Sequence, residues 1–343
     1  MDKNLEILNE WLINNNINYF KDYKISLKSW IKAGGTIKNY ITPETIKDCQ
    51  KLIQFFKEKK IKFYILGNIS NTIIRDGSIN APFININKLS NITEEKHNDG
   101  YKYKVSGGTS LPKFSKFITK NGITGCEGLV GIPGTVGGGV FMNCSSYGSC
   151  ISDYIISVEC ITPDGDIVVL NKDEGKFEFR KSIFQLNNYL ILNVYFLFPK
   201  KNLIGKETTL LKLKTIIDHR NKFQEKLLPN LGSLFATKDL YKDLKNKNII
   251  FFLLYFFHKI LSIIIFNFSN KNIFSYRKFI VRVYEKFLKL DKSKKYSLSN
   301  STINCLVNNG SESANDAIEF VKDMKKKIAN CADLENIILD DIK

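Results

Sequence analysis

A glycine-rich stretch, residues 131–148, carries the residue types best suited to binding a phosphate group. Six glycines and one proline fall within its eighteen residues. Glycine permits a positive φ and lets a ligand approach the backbone without a Cβ in the way. Successive exposed N–H groups in such a loop form a concave anion site. The stretch predicts a backbone wrapped around a phosphate-bearing cofactor, with a tight turn between packed elements as the alternative.

Two shorter loops carry a similar composition. Residues 67–71 follow a short apolar strand at 64–66, and residues 106–110 follow the alternating segment 101–105. A strand followed by a small polar turn presents N–H groups and Ser or Asn side chains at the strand end. Neither loop has the glycine spacing, the following helix and the later acid of a Rossmann dinucleotide site.

Two further segments contain groups that could act on a substrate. Arg180 can bind a carboxylate through two parallel hydrogen bonds and stays charged when partly buried. Ser233 lies in a Gly-Ser turn, where a hydroxyl could deliver a proton if the site supports it. The structural alternatives are a surface arginine that pairs locally and a serine that only shapes a turn.

Together these segments resemble the UDP-N-acetylenolpyruvoylglucosamine reductase (UDP-N-acetylmuramate dehydrogenase) family of FAD enzymes in peptidoglycan precursor synthesis. The family loop Gly-Ile-Pro-Gly-Thr-Val-Gly-Gly…Met-Asn…Tyr-Gly is nearly complete here, whereas Asn68 and Ile69 stand where glycines are usual. The resemblance implies FAD binding by Gly67, Asn68, Ile69, Ser70, Asn71, Gly108, Gly131, Ile132, Pro133, Gly134, Thr135, Gly137, Gly138, Asn143 and Gly148.

The same resemblance assigns roles around the substrate. Arg180 matches the arginine that binds and polarises the enolpyruvyl carboxylate, and Ser233 matches the general acid. Arg220 and Lys222 correspond to substrate-binding residues, although the lysine comes one position early.

The family also has a catalytic acid near the C-terminal end. An ungapped match puts Ile337 at its position, and Glu335 can take the role only if the register moves.

The resemblance implies an α+β fold: a two-part FAD-binding region of the PCMH/vanillyl-alcohol-oxidase type, followed by a C-terminal α+β substrate domain. We expect domain boundaries at residues 1–88, 89–202 and 203–343. The residue patterns predict helices at 5–14, 46–59 and 311–328, a hairpin over 154–170 and a strand at 190–198.

The largest departure from the family is an insert at residues 239–298, which contains no glycine or proline. Its centre, residues 249–268, is apolar except for His258, Lys259, Ser262 and Asn267. A buried helical hairpin or core helix is the favoured interpretation. A helix at a membrane surface or in a hydrophobic groove is the second, because aromatic and basic residues suit that interface. A membrane span is the third and is disfavoured by the central lysine.

Composition limits the other possibilities. The net charge is +17, but 46 of the 51 basic residues are lysines dispersed along the chain, so no nucleic-acid partner is expected. Seven cysteines without a CxxC pair and only three histidines favour free thiols and no metal site. The charged N-terminal residues do not form a signal peptide, which favours a cytoplasmic location, with membrane association through 249–268 as an addition.

The expected activity is FAD-dependent reduction of UDP-N-acetylenolpyruvoylglucosamine to UDP-N-acetylmuramate, with NADPH as hydride donor. One alternative is a related FAD oxidoreductase acting on a surface-polysaccharide or lipid-linked sugar. The other is a flavin-binding protein without turnover. The oligomeric state stays open.

Overall fold

The secondary structure mixes helices and strands throughout. A computed structural model of the chain describes residues 3–268, 273–290 and 295–342. The described residues form nine α-helices: α1 (Lys3–Asn14), α2 (Ile46–Glu58), α3 (Leu111–Lys120), α4 (Val136–Phe141), α5 (Lys206–Phe223), α6 (Leu240–Leu244), α7 (Ile249–Phe268), α8 (Ile273–Phe287) and α9 (Ala314–Ile328).

The strands of the described residues are mostly short. They are β1 (Tyr19–Lys24), β2 (Thr36–Ile41), β3 (Tyr64–Leu66), β4 (Thr72–Ile74), β5 (Ser78–Ile79), β6 (Phe83–Asn85), β7 (Ile92–Glu95), β8 (Gly100–Ser106), β9 (Ser145–Ser146), β10 (Ser149–Cys150), β11 (Ile155–Ile161), β12 (Ile167–Asn171), β13 (Leu190–Pro199), β14 (Phe235–Ala236), β15 (Tyr296–Ser299), β16 (Thr302–Asn308), β17 (Asp333–Leu334) and β18 (Ile337–Leu339).

The first sheet places the predicted loop at residues 67–71 at the end of one of its strands. Its order is β1-β2-β6-β3, with β5 also paired to β2. Strands β2, β3 and β6 run parallel, so their carboxyl ends share one edge. Helix α2 starts where Thr45 Oγ1 accepts a hydrogen bond from the Asp48 N–H (3.0 Å), and it buries Leu52 and Phe56 in the core beside this sheet. Because β3 ends at Leu66, residues 67–71 begin at this edge.

The second sheet is antiparallel and carries the glycine-rich stretch on one side. Its order is β12-β11-β13-β8-β7, which includes the predicted hairpin between β11 and β12. Helix α3 buries Leu111, Phe114 and Ile118 in the same core as Val105 and Phe196 from the sheet. The short helix α4 belongs to that core through Val136 and Val140. Packing on both flanks therefore fixes the backbone that leads into residues 131–139.

The C-terminal part has its own core but returns to the first sheet region. Helices α8 and α9 bury apolar side chains together with β15 and β16. Strand β17 pairs with β14, and β18 pairs in parallel with β4 in the register Ile337–Thr72 to Leu339–Ile74. We propose domain boundaries at 1–88, 89–202 and 203–343, supported by the confinement of each large sheet to one of the first two segments. The β18–β4 pair crosses between the first and third segments.

The insert forms a helical hairpin of which only one side is buried. Tyr276 Oη donates to His258 O (2.8 Å), and the rings of Tyr284 and Phe251 lie 6.0 Å apart, so α7 and α8 run antiparallel. One side of α7 packs on the C-terminal core through Phe251 and Leu254, while its opposite side stays exposed. The expected helical hairpin is present, but it is half covered rather than buried. Among the described residues, no helix is both long and apolar enough to cross a membrane.

All seven cysteines carry free thiols. Five of them are buried: Cys49, Cys126, Cys144, Cys160 and Cys305. Burial raises the pKa of the Cys49 thiol to about 12, so this side chain behaves as a small apolar group at neutral pH.

Candidate active site

A large cavity lies where residues 67–71, residues 131–135 and the C-terminal part meet. Its volume is about 910 Å³, at the upper end of the range found for ligand sites. Most of the residues singled out from the sequence line it, among them residues 67–71, 131–135, Arg180, Ser233 and Glu335. Segments far apart in the sequence therefore share one site.

The two cofactor loops touch each other across the cavity wall. Asn68 Nδ2 donates to Pro133 O (3.1 Å), and its Oδ1 accepts from Asn87 Nδ2 (2.8 Å). A Cβ on Gly67 would lie 3.0 Å from Thr135 Oγ1, so glycine permits this close approach. The backbone N–H groups of residues 68–70 and of Gly134 find no acceptor among the described residues. Unpaired N–H groups beside a cavity suit an anionic ligand.

Ile69 shows why glycine is usual in this loop. Its φ is +51°, a left-handed conformation that β-branched residues rarely adopt. The side chain is buried in the core beside the first sheet, and its carbonyl accepts from the Trp30 N–H (3.2 Å). Core packing therefore holds a backbone shape that glycine would adopt without strain.

The glycine-rich stretch is fixed by internal hydrogen bonds, but it leaves open space beside Gly134. A Cβ on Gly134 would meet only Ser70 Oγ, at 3.9 Å, so the space beside this backbone is free to receive a ligand. Thr135 Oγ1 accepts from the Gly138 N–H (3.1 Å), and Gly137 N–H donates to Gly107 O (2.8 Å). These bonds fix the loop without using the Gly134 N–H. The exposed backbone and the free donors fit the phosphate groups of FAD.

Arg220 lines the cavity and supports the glycine-rich stretch through its hydrogen bonds. The residue is 7 % exposed, and Nη1 donates to Gly131 O (3.0 Å) while Nη2 donates to Gly128 O (2.9 Å) and to Ser146 Oγ (2.5 Å). Burial lowers the pKa of the guanidinium, which nevertheless stays charged at neutral pH. A Cβ on Gly131 would lie 2.4 Å from Nη1, so this glycine makes room for the arginine. The contacts of Arg220 thus go mainly to the loop that lines the cavity.

Arg180 is placed at the cavity by a strained turn. Its φ is +60°, and Nη2 donates to Ser145 O (3.1 Å). Nε lies 3.2 Å from Glu335 Oε1, although the N–H does not point at that oxygen closely enough for a hydrogen bond. Both side chains are largely buried, with exposed fractions of 18 % and 13 %. The pair places one cation and one carboxyl group side by side in the cavity wall.

Glu335 is fixed by its backbone between two short strands. Its N–H donates to Leu234 O (2.9 Å), and its carbonyl accepts from Asn71 Nδ2 (3.0 Å). Burial raises the pKa of its carboxyl to about 7, against a smaller lowering effect of Arg180. At neutral pH the group can therefore exist with or without its proton. A carboxyl in this state can donate or accept a hydrogen bond.

The turn that carries Ser233 is built by neighbouring backbone contacts. Asn336 Nδ2 donates to Ser233 O (3.1 Å), and the following Leu234 N–H donates to Asn304 O (3.0 Å). Gly232 has a φ of +73°, which glycine adopts without cost. These contacts leave the Ser233 side chain exposed along the cavity lining.

Four residues proposed from the sequence lie outside the lining of this cavity: Gly108, Asn143, Gly148 and Lys222. A Cβ on Gly108 would come 2.0 Å from Ile86 O, so this glycine serves close packing. Asn143 Nδ2 donates to Glu178 O (2.7 Å), which supports the turn before Arg180. Lys222 is exposed, with Nζ 5.5 Å from the Phe223 ring centroid. The roles proposed for these four residues remain predictions.

Sequence reasoning missed several residues that shape the site. Asn336 Nδ2 bridges Asn71 Oδ1 (2.7 Å) and the carbonyl of Ser233, so it links the first loop to the serine turn. Asn304 holds Phe235 through both its Oδ1 and its Nδ2 (2.8 and 3.0 Å). No pattern in the sequence distinguishes these asparagines from the many others. Gly107, the neighbour of the predicted Gly108, lines the cavity.

A second cavity of about 540 Å³ lies against the same ion pair. Arg180, Gln185 and Glu335 line both cavities. Within the described ranges, no group of His, Cys, Asp and Glu side chains could hold a metal ion.

Comparisons with known proteins agree with this architecture. Residues 37–171 match the FAD binding domain family. The UDP-N-acetylenolpyruvoylglucosamine reductase of Clostridium novyi is 33 % identical over 242 residues, which cover 70 % of this chain and 75 % of that protein. The reductase of Clostridium kluyveri is 34 % identical over 204 residues, or 60 % of this chain and 65 % of that protein. The crystal structure of a UDP-N-acetylenolpyruvylglucosamine reductase from Thermus caldophilus superposes with a TM-score of 0.64 at 20 % identity. The superposition covers 94 % of this chain and 98 % of the Thermus caldophilus chain, which shows that the two share a fold.

Proposed function

This chain belongs to the UDP-N-acetylenolpyruvoylglucosamine reductase family, and we propose that it uses Arg180, Ser233 and Glu335 to reduce the enolpyruvyl group of that nucleotide sugar. It is an FAD-dependent oxidoreductase, with NADPH as hydride donor. The product is UDP-N-acetylmuramate, a precursor of peptidoglycan. The observation that carries the proposal is the meeting of these three side chains with both cofactor loops in one cavity.

The cofactor site is proposed to use backbone donors from two loops. The N–H groups of residues 68–70 and of Gly134 are available, and the space beside Gly134 is open. Arg220 keeps the second loop in place through Gly128 and Gly131. FAD held here supplies hydride transfer between NADPH and the enolpyruvyl double bond. The protein's part is to orient the substrate, polarise it and deliver a proton.

Arg180 is proposed to bind the substrate carboxylate. Its Nη2 donates to Ser145 O, and its Nε lies beside the Glu335 carboxyl group. Its Nη1 donates to no group of the described residues, so this N–H group is available to a substrate. A guanidinium fixed in this way can stabilise the negative charge that develops on the carboxylate side of the substrate. The carboxyl of Glu335 lies beside this guanidinium, with Oε1 3.2 Å from Nε.

Ser233 is proposed to protonate C2 of the enolpyruvyl group after hydride reaches C3. An isolated serine is a poor acid, so its proton must be drawn off as charge develops on the substrate. Glu335 directly follows β17, whose Leu334 pairs with Phe235, and its N–H donates to the carbonyl of Leu234, the residue after Ser233. Its pKa near 7 allows it to take part in hydrogen bonds in either protonation state.

Anaerobic half-reactions test this function. The holoenzyme is reduced with NADPH and then mixed with UDP-N-acetylenolpyruvoylglucosamine while the flavin absorbance is followed. We expect reoxidation with one equivalent of substrate and formation of UDP-N-acetylmuramate. UDP-N-acetylglucosamine, which lacks the double bond, is the matched control and leaves the flavin reduced. Flavin that is reduced by NADPH but not reoxidised by the enolpyruvyl substrate contradicts the proposed reaction.

A related oxidoreductase acting on another sugar is the second candidate. It is favoured by the insert, since Tyr241 and Phe223 line the cavity and both contact its hairpin. Reoxidation by a lipid-linked or polysaccharide-derived enolpyruvyl sugar, without reoxidation by the UDP-sugar, would favour this candidate. A protein that binds FAD but accepts no electrons from NADPH would instead be a flavin-binding protein without turnover.

The enzyme is further proposed to work in peripheral contact with a membrane through residues 249–268. The exposed apolar side of α7 supports this contact.

A further inference from the structure

Helix α7 exposes a continuous apolar surface. Nine large apolar side chains of this helix are between 42 % and 68 % exposed: Ile249, Ile250, Phe252, Leu253, Phe256, Phe257, Ile260, Ile263 and Ile264. They recur at intervals of three and four residues, so they lie along one side of the helix. A helix of 20 residues is about 30 Å long, which makes this a strip rather than an isolated contact.

The opposite side of α7 packs against the rest of the protein. Phe251 is buried, and Leu254, Leu261 and Ile265 pack against the C-terminal core. His258 stacks edge-on against Tyr241 at 4.7 Å between ring centroids. The helix is therefore anchored through one side, and its apolar strip faces outward from a firmly packed segment.

The charge along the two helices of the hairpin is mostly positive. Residues 245–290 contain nine basic residues and one acidic residue, Glu285. Glu285 is 4 % exposed and is paired with Arg282 at 2.6 Å, so within the described residues of this segment no acidic side chain is exposed. Lys247, Lys259 and Lys278 are exposed, and Lys259 Nζ lies 5.3 Å from the Tyr255 ring centroid. The surface of these helices therefore exposes apolar and cationic side chains next to each other.

Helix α8 adds the same combination of side chains. Phe274, Phe279 and Phe287 are about half exposed, and Lys278 and Lys286 are exposed between them. Exposed phenylalanines interleaved with lysines are typical of helices that lie in the headgroup region of a bilayer.

We propose that α7 and α8 dock this enzyme on the surface of an anionic phospholipid bilayer. The apolar strip of α7 enters the boundary between headgroups and acyl chains, and the lysines bind lipid phosphates and anionic headgroups. A second copy of the chain is a poorer occupant, because it would bring the same excess of positive charge against the strip. This inference rests on the proposed membrane contact and extends it by naming the lipid and the two helices.

Docking through α7 and α8 would place the bilayer surface near the cavity, because residues that line the cavity contact both helices. Arg277 of α8 donates from Nη1 to Phe223 O (3.2 Å), and its guanidinium lies 4.4 Å from the Phe223 ring centroid. Tyr241 contacts Tyr284 of α8 as well as His258 of α7. Since Phe223 and Tyr241 both line the cavity, only one layer of side chains separates the hairpin from the site.

Vesicle flotation of the FAD-loaded full chain tests the docking. Vesicles of phosphatidylcholine with 30–40 % phosphatidylglycerol, roughly the anionic content that gives a strong surface potential, are compared with pure phosphatidylcholine vesicles. We expect binding to the anionic vesicles that weakens with added salt, and little binding to the neutral ones. Equal recovery in the soluble fraction with both vesicle types overturns the proposal.

Two sets of variants separate the apolar and the charged contributions. The triple variant F256S/F257S/I260S is expected to lose roughly a hundredfold or more in vesicle partitioning. The matched control I13S/F20S/L27S changes three side chains of similar exposure elsewhere and should bind like the wild type. The variant K247Q/K259Q/K278Q should bind roughly fivefold more weakly per lysine, whereas K113Q/K116Q/K120Q on α3 should not.

The outcomes distinguish this inference from the proposed function. Turnover measured without vesicles tests the reaction alone, and a protein that turns over but ignores vesicles overturns only the docking. Light scattering of the vesicle-free protein tests for a second copy. A dimer that F256S/F257S/I260S converts to a monomer would assign the strip to self-association and overturn the lipid proposal. Circular dichroism checks that each variant is folded before its binding is compared.

Discussion

Arg180 and Glu335 form an ion pair in the cavity wall, with 3.2 Å between Nε and Oε1. Neither position depends on the pair alone. Arg180 is held by a left-handed backbone and a bond to Ser145 O, and Glu335 is held by the Leu234 carbonyl and by Asn71. Because both groups are anchored separately, each can be changed without removing the support of the other.

Replacing Glu335 by glutamine should remove a pH dependence of stability. The carboxyl has a pKa of about 7 in the folded chain and near 4.5 when unfolded. Between these values the folded state holds a proton that the unfolded state has lost. Stability is therefore highest below pH 4.5 and falls as the pH rises to about 7, by up to about 3 kcal/mol from this group. Urea unfolding at pH 5 and pH 7.5 should show this loss in wild type but not in E335Q. Equal losses in the two proteins would contradict the assignment.

Replacing Arg180 by glutamine should widen that pH window. The guanidinium lowers the pKa of Glu335, so its removal should raise the carboxyl pKa above 7. Stability should then continue to fall at pH values where the wild type has become constant. K181Q changes the adjacent exposed lysine and serves as the control, with a window like that of wild type. The same R180Q variant should lose about 10²–10³ in turnover if the arginine stabilises developing charge.

Replacing Ser233 by alanine should affect only the second half-reaction. Reoxidation by the enolpyruvyl substrate should slow by about 10²–10⁴, because the proton donor is lost, while reduction by NADPH should change little. S301A removes a hydroxyl that does not line the cavity and should react like wild type. Stopped-flow absorbance measures both steps. Equal slowing of the two half-reactions would argue against a proton-donating role.

Side chains of increasing size at Gly134 should displace FAD without unfolding the protein. A Cβ at this position meets only Ser70 Oγ at 3.9 Å, so the fold has room for it. In the series G134A, G134V and G134L, FAD affinity should fall progressively, by roughly tenfold or more for leucine. The melting temperature of the flavin-free protein should stay close to that of wild type. Flavin affinity that is independent of side-chain size would place the cofactor elsewhere.

The loops could be predicted from the sequence more firmly than Glu335, whose catalytic role is a proposal. Glycines and the Gly-Ser turn indicate special backbone conformations, and most of these positions line the cavity, with Gly108 and Gly148 as exceptions. The acid at position 335 has no such marker. An ungapped comparison placed Ile337 at the acid's position, whereas Glu335 lies beside Arg180 and Ile337 pairs with Thr72. Which residue of a short irregular segment faces a site depends on strand pairing with distant residues, which periodicity does not reveal.

The insert shows another limit of pattern reasoning. Residues 249–268 are apolar nearly all around the helix, so the sequence indicates a helix but not which side is covered. The covered side is chosen by partners such as Tyr241 and Tyr284, which lie outside the apolar run. The asparagines at 304 and 336 were missed for a related reason, since their importance comes from contacts across the fold.

The parallel pairing of β18 with β4 has a consequence for biogenesis. Residues 72–74 leave the ribosome long before their partner, residues 337–339, which lies 265 positions later in the chain. The nascent chain can complete both large sheets while Asn71, at the edge of the first cofactor loop, still lacks the carbonyl and amide groups of residues 335–337 that fix it. Stable flavin loading would thus have to wait until residues 335–337 have been synthesised, well after the glycine-rich stretch and both large sheets.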